Sequence, residues 1–523
     1  MNIEDLNKTW DLVVIGGGIT GSGILREAGR MGLKTLLLEK NDFAWGTSGR
    51  SSKLVHGGLR YLKQGRLHLM WESVHQRQRL IAEAPGLVEE LDILLPVYKK
   101  KNPGRLMLTA GLTLYDIMAG RRRHTYYDAK TFASMVPGIE QYGLAGGFRF
   151  MDAQTDDARM VLRLIDEAVD AGGTALNYCA VTRIIRDEHG VVSGIKANDT
   201  ETGQSVLLNT SAVINATGAW AETLHPTHRP GMHLRPLRGS HLVIGAERIP
   251  LSRAVTLAHP DDNRPLFIIP WEGALILGTT DLDHGNDIRG EIIATEDEAR
   301  YMLECLNAYF PEAHITPADC IASFAGIRPV LTEKESVDPS KESREHVTWT
   351  DKGLVTVTGG KLTTFRILAA DALKAALPFL PLKKMPSAST PAFSPVSIAP
   401  FDQKSDGSQP DPDAVRRLYG RYGDKAGSIL EKASAQDLVY IPGTRTLWAE
   451  LPAAAEAGGV RHLTDLLLRR VRVGLLLEEG GSRHLDRIQS LCEPFLPWDE
   501  ARWKNERQMY TDYWHETLRV PGK

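Results

Sequence analysis

The chain is 523 residues long, more than a single hydrophobic core serves, so two to four domains are expected. Hydrophobic residues make up 42 % and charged residues 24 %, the balance of a globular protein that folds in water. A net charge of −3 gives no support to a nucleic-acid partner. Cys179, Cys305, Cys320 and Cys492 are widely separated, so no CxxC pair and no metal-ligand cluster is expected, only free thiols in a reducing compartment. The start, Met1-Asn2-Ile3-Glu4-Asp5, is acidic and lacks the apolar core of a signal peptide. No apolar run reaches the roughly 18 residues that span a bilayer. The expected location is cytoplasmic, including the inner face of the cell membrane.

Asp11 to Ile15 reads as a buried parallel strand, short, apolar and rich in β-branched residues. Gly16-Gly17-Gly18-Ile19-Thr20-Gly21 then matches GxGxxG. Ser22 to Met31 has helical spacing, Gly32 ends that helix, and Leu33 to Leu38 is a second strand closed by Glu39. In such a unit Gly16 makes the tight turn, Gly18 lets a pyrophosphate approach the backbone, and Gly21 lets helix and strand pack closely. The helix start faces the phosphates. Glu39 is placed to accept the ribose hydroxyls, which argues against a 2′-phosphate. A glycine turn with no ligand is the bland alternative; the complete strand-turn-helix-strand-acid order favours a dinucleotide.

Leu106 to Met118 is an apolar-rich helix flanked by Lys99-Lys100-Lys101, Arg105 and Arg121-Arg122-Arg123-His124. It is too short to span and reads either as an interfacial membrane helix or as a core helix with basic ends. Val213 to Trp220 is a strand ending in a glycine turn at Gly218. Leu266 to Ile269 and Ala274 to Leu277 read as antiparallel strands. Leu354 to Thr358 leads into Gly359-Gly360-Lys361-Leu362-Thr363-Thr364-Phe365, another strand, glycine turn and helix start. Segments that return in this way close a site around a flavin, which favours FAD over NAD. Residues 381–412, rich in proline and serine, read as a linker or an irregular loop, and the domain boundary is placed there. Leu463 to Leu477, with Arg469, Arg470 and Arg472 among its leucines, reads as a packed helix of a C-terminal helical domain, a partner or membrane contact being the alternative.

The run Ser51-Ser52-Lys53-Leu54-Val55-His56-Gly57-Gly58-Leu59-Arg60-Tyr61-Leu62 joins the Asn215–Trp220 turn, Arg238-Gly239-Ser240-His241, Gly278-Thr279-Thr280-Asp281, Gly326-Ile327-Arg328-Pro329 and Gly359–Phe365. By these motifs and their order the chain resembles the FAD-dependent, respiratory, quinone-linked glycerol-3-phosphate dehydrogenases. Arg50 departs from the small residue expected there. The resemblance implies an α/β fold: a Rossmann-type FAD-binding domain (1–90, 150–225, 325–380), an antiparallel-sheet substrate domain (91–149, 226–324) and a C-terminal helical domain (413–523).

It also implies FAD as cofactor, sn-glycerol 3-phosphate as substrate and a membrane quinone as acceptor, reached from the cytosolic membrane surface; a homodimer stays open. Cofactor contacts would come from Gly16, Gly18, Gly21, Glu39, Ser51, Ser52, Lys53, Gly57, Gly58, Gly218, Gly359, Gly360, Leu362 and Thr363. Arg60, Tyr61, Arg328, Arg344 and Lys361 would line the substrate site, arginine forks suiting a phosphate dianion. Oxidation of the C2 alcohol needs a base for the hydroxyl proton. His56 is the first choice and His241 the second, since an ordinary imidazole titrates near neutrality. Arg328 would stabilise the developing alkoxide. An oxygen-using glycerol-3-phosphate oxidase and an amine or hydroxy-acid oxidoreductase on the same scaffold are the alternatives.

Overall fold

The computed structural model describes residues 3–59, 65–99, 104–120, 123–225, 233–285, 287–332, 345–382, 384–398 and 410–523. Arg60, Tyr61 and Arg344 lie outside these residues, as do Arg121 and Arg122. The strands used below are β1 (Leu12–Ile15), β2 (Thr35–Leu38), β3 (Leu54–Val55), β4 (Val88–Tyr98), β5 (Leu144–Thr155), β6 (Val213–Asn215), β7 (His233–Gly245), β8 (Ala274–Gly278), β9 (Cys320–Thr332) and β10 (Leu354–Gly359). The helices are α1 (Ile19–Arg30), α2 (Leu67–Glu83), α3 (Arg105–Met118), α4 (Asp157–Asp170), α5 (Glu296–Tyr309), α6 (Phe365–Ala376) and α7 (Glu500–Thr517).

A six-stranded sheet forms the first domain. Its order is His346–Asp351, β10, β6, β1, β2, then Thr174–Leu176, all parallel except the first. β1 and β2, apolar but for Thr35, are buried along their whole length, which is why they read as hydrophobic runs. α1, α4 and α6 pack on one face around Ile24, Leu25, Leu164, Leu368 and Leu373. The expected strand, turn, helix and strand over 11–39 are present, and Gly32, at φ +76°, turns the chain from α1 toward β2.

A ten-stranded, mostly antiparallel sheet forms the second domain, and β9 pairs along nearly the whole of β7. The strands expected near 266 and 274 occur in it as Pro265–Trp271 and β8. This sheet takes more of the chain than the expected boundaries allowed. β3, all of β5 and the whole of β9 belong to it. These strands run across the seam between the domains, and alternation of apolar residues does not reveal which sheet a strand joins.

Residues 384–398 are a packed strap in place of a free linker. Ala392 and Phe393 are buried in the core of the first domain. The strap's backbone accepts hydrogen bonds from Arg30, Arg79 and Arg366, and the Ala392 amide donates to Glu83 at 2.7 Å. The C-terminal domain is helical, but Leu463–Leu477 is not one helix. Leu463–Asp465 passes into a π-helical turn over Leu466–Arg470, and Arg472 at φ +63° breaks the path before Val473–Leu476. Three inward arginines are the cause. Arg469 and Arg470 both bind Asp42, just past β2, and Arg472 binds Asp157 at 3.1 Å. The wider π turn aims two consecutive guanidinium groups at one carboxylate. Burial alone would push the Asp42 carboxyl up; Arg470 and Arg469 hold it below its usual range.

Arg421 ties the three domains together. It reaches Asp156 of α4 at 3.2 Å, Glu272 of the large sheet at 3.1 Å and Glu450 of the helical domain at 3.2 Å. Burial would raise the Glu272 carboxyl, but Arg417 and Arg421 bring it below its ordinary value. That contribution to stability is present above the usual carboxylate range and lost as pH falls through the lowered value. Arg421→Ala leaves three carboxylates buried without their shared cation. It is expected to destabilise the protein by about 3–5 kcal/mol in urea unfolding and to move acid unfolding to higher pH; an unchanged urea midpoint would contradict the role assigned to Arg421.

Candidate active site

The three glycine turns lie at the same edge of the first sheet, because β10, β6, β1 and β2 are adjacent and parallel. That carboxyl edge is where open α/β sheets bind ligands. At Gly21 an added Cβ would stand 1.8 Å from the Gly16 carbonyl oxygen, and at Gly16, with φ +110°, 2.7 Å from that of Ala216. Neither position admits a side chain. Glu39, at the end of β2, accepts the amides of Gly17 at 2.7 Å and Asn41 at 2.9 Å. Gly18 caps α1, and the Ile19 amide donates to Ser48 Oγ. Gly218, at φ +60°, faces open space on its Cβ side, and Thr358 Oγ1 donates to its carbonyl at 2.8 Å. Gly359 and Gly360, both at positive φ, turn β10 into the short helix Leu362–Thr364 and α6. A tight glycine cradle, a helix start, a strand-end carboxylate and two more glycine turns on one edge fit an FAD.

The segment 47–58 carries this sheet's ligand edge onto the second domain. Thr47 Oγ1 donates to the Ile327 carbonyl, and a Cβ on Gly326 would stand 2.9 Å from Arg50 Cβ. Arg50 is accommodated because its guanidinium lies 5.1 Å over Trp45 and pairs with Glu291 at 2.7 Å. Ser51 donates to Asp157 through both its amide and its hydroxyl. Lys53 is wholly buried, with Nζ 2.8 Å from Asp157. Burial and Arg472 push its ammonium down to about 8, against the pull of Asp157. Lys53, expected at the cofactor, thus fastens the segment from beneath through its side chain. The Gly57 amide, also expected at the cofactor, donates to Asp152 Oδ1 at 2.9 Å. Gly58 is buried at φ +79°.

Ser52 meets the second domain directly, its hydroxyl 2.8 Å from His241 Nε2. His241 lies on β7, stacked on Phe324 of β9 with ring centres 4.6 Å apart, and its buried Nδ1 has no hydrogen-bond partner among the described residues. Burial, then Arg328 and Lys53, hold its pKa well below the usual histidine value. Arg328, on β9, donates to Asp281 Oδ1 at 3.0 Å and to Thr279 Oγ1 at 3.4 Å, with about a quarter of its side chain exposed (24 %). Lys361, at the β10 turn, donates to Ser73 Oγ of α2 at 2.7 Å. His56 follows β3 directly and is half-buried. Two partners here were not found by sequence reasoning. Asp157 and Asp152 lie in an ordinary-looking strand-to-helix stretch, where the pair Asp156-Asp157 at a helix start is the one local signal on offer.

Comparison with known proteins agrees with this geometry. The family description "FAD dependent oxidoreductase" matches residues 11–366, and "C-terminal domain of alpha-glycerophosphate oxidase" matches residues 395–503. Fold and site thus define a two-domain flavin-dependent oxidoreductase with an added helical domain. Aerobic glycerol-3-phosphate dehydrogenases of Staphylococcus haemolyticus and Staphylococcus aureus are each 33 % identical over 490 residues, 89 % of this chain and 87 % of theirs. The structure of the glycerol-3-phosphate dehydrogenase from Bacillus halodurans, complexed with FAD, superposes with a TM-score of 0.76. It is 28 % identical, and the match covers 98 % of this chain and 96 % of that one. The chain belongs to the FAD-dependent glycerol-3-phosphate dehydrogenase family.

Gly21→Ala is expected to give protein purified without its yellow colour, since the new methyl has no space beside Gly16. Gly29→Ala, in the same helix with its nearest neighbour 4.0 Å away, is expected to keep the flavin. Absorbance at the flavin band decides; a fully yellow Gly21→Ala protein would contradict the reading of the turn.

Proposed function

We propose that this chain oxidises sn-glycerol 3-phosphate at C2 to dihydroxyacetone phosphate. The observation that carries the reading is the contact of the segment leading to His56 with the second domain, where Ser52 meets His241 and Thr47 meets the carbonyl of Ile327, the residue before Arg328. FAD, when bound, supplies the acceptor for the hydride that leaves C2. The side chains of this protein do the rest. Arg328 and Lys361, joined through the family resemblance by Arg60, Tyr61 and Arg344, hold the phosphate and orient C2. Asp281 keeps the Arg328 fork aimed while leaving part of it exposed to substrate. His56 takes the hydroxyl proton. His241, neutral well into the acidic range, serves better as a fixed hydrogen-bonding neighbour of Ser52 than as the group that titrates with turnover. Its lowered pKa keeps it deprotonated as pH falls through 6.5.

The electron acceptor is a membrane quinone in this reading, reached by peripheral binding at the cytoplasmic face. No described helix is long and apolar enough to cross a membrane. α3 supports an interfacial contact instead. Leu106 and Ile117 on its outer side are 87 % and 69 % exposed, Met107 lies beside them, and Leu67 and Trp71 of α2 are exposed as well. Its inner side, with Leu112 and Tyr115, packs in the core.

Anaerobic addition of sn-glycerol 3-phosphate is expected to bleach the flavin, and glycerol and amino acids are expected not to. His56→Ala is expected to slow that bleaching by about 10²-fold or more. A flavin that stays oxidised would refute the substrate. Reoxidation by a quinone analogue, with little peroxide formed in air, is the expected sequel; peroxide at the rate of reoxidation would favour the oxidase. Co-sedimentation with anionic vesicles is expected and should fall at least about tenfold on placing glutamate at both Leu106 and Met107. Binding unaffected by that pair would remove α3 from the membrane contact.

A further inference from the structure

β3 pairs with β5 for only two residues, Leu54 with Gln154 and Val55 with Ala153. Continued register would set position 56 opposite Asp152, but the ladder stops there. The Asp152 side chain takes over. Its Oδ1 accepts the Gly57 amide at 2.9 Å, the Tyr115 hydroxyl at 2.8 Å and an Nη1 proton of Arg77. The Tyr115 oxygen lies 3.1 Å from the same Gly57 amide and 2.7 Å from Arg77 Nη1. Arg77 and Tyr115 are at most 1 % exposed, and Asp152 is 3 % exposed. A Cβ at position 57 would stand 2.3 Å from the Tyr115 hydroxyl oxygen and 2.6 Å from Val74 Cγ2, so the backbone lies directly against α2 and α3. Without these partners the Gly57 amide would be a buried donor left unsatisfied, and the segment would shift to find another.

His56 is thus clamped on both sides, by the β3–β5 ladder at Val55 and by the Asp152 cluster at Gly57. The helix that supplies Arg77 also supplies Ser73, one turn away on the same face, which holds Lys361. One helical face therefore fixes the distance between the two functional side chains.

We propose that Arg77, Tyr115 and Asp152 are positioning residues that set the placement of His56 for proton abstraction. The proposal rests on His56 being the base. A base displaced by about 1 Å costs on the order of 10²-fold in rate while substrate binding is kept, because the phosphate contacts lie elsewhere.

The test is a double-mutant cycle read by anaerobic flavin reduction at saturating sn-glycerol 3-phosphate, on holoenzyme matched for FAD content and melting temperature. Tyr115→Phe removes only the hydroxyl. It is expected to lower the limiting rate by about tenfold or more, with the half-saturating concentration changed by less than about twofold. Made in the His56→Ala background, it is expected to add no further loss, since it acts through a group already removed. Equal losses in both backgrounds, or none in the otherwise native enzyme, would overturn the positioning role and leave His56 as base. A native rate in His56→Ala alone would overturn the base assignment, and the positioning role with it. Should Tyr115→Phe fail to keep its flavin, the same cycle with Asp152→Asn decides by the same criteria.

Discussion

Two adjacent carboxylates, Asp156 and Asp157, begin α4 inside the protein, and the three domains are assembled around them. Asp157 accepts from Ser51, Lys53 and Arg472, and so joins the segment leading to His56 with the helical domain. Asp156 caps α4 and pairs with Arg421, which reaches both the large sheet and the helical domain. Buried charges are costly unless every one is matched, so such a cluster admits a single arrangement of its members. Burial would push Asp157 up, but Lys53 and Arg472 bring its carboxyl below the ordinary range; the negative charge is built in at physiological pH.

The active seam follows from that anchoring. With Ser51 and Lys53 fixed from below, Ser52 between them faces β7, where it meets His241. The two histidines divide by environment. His241 is buried between Phe324 and cationic neighbours and stays neutral; His56 is half-buried at a strand end beside the exposed side of the site. The cations divide likewise. Lys53, Arg469, Arg470 and Arg472 are buried and paired at fixed carboxylates, whereas Arg328, on β9 beside Asp281, keeps about a quarter of its side chain exposed (24 %) and Lys361 lies at the β10 turn against Ser73.

A residue's type and local pattern do not show a partner that lies far along the chain. The Lys53 ammonium and the Gly57 amide, in the run that the resemblance places at the cofactor, meet Asp157 and Asp152, about a hundred positions away. Leu463 to Leu477, with arginines among its leucines, reads as a packed helix. Here the arginines turn inward, because Asp42, more than four hundred positions earlier, needs them. The proline-rich stretch looks like a loose connector, but Glu83, Arg79 and Arg366 bind its backbone and make it a strap.

What the sequence determined by itself was what short-range stereochemistry dictates. The dinucleotide unit over 11–39 was legible because a glycine turn between two apolar strands, a helix and a terminal acid have few other uses. The class of fold and the family were legible because specific motifs recur in a fixed order. Tertiary structure alone decided which sheet received β3, β5 and β9, which charged side chains became struts and which stayed at the site, and how His56 is held. Those outcomes depend on buried charge and amide pairing between segments distant in the chain. Burial strengthens such pairing and makes any unmatched member expensive, and no local pattern of residues encodes where the match will come from.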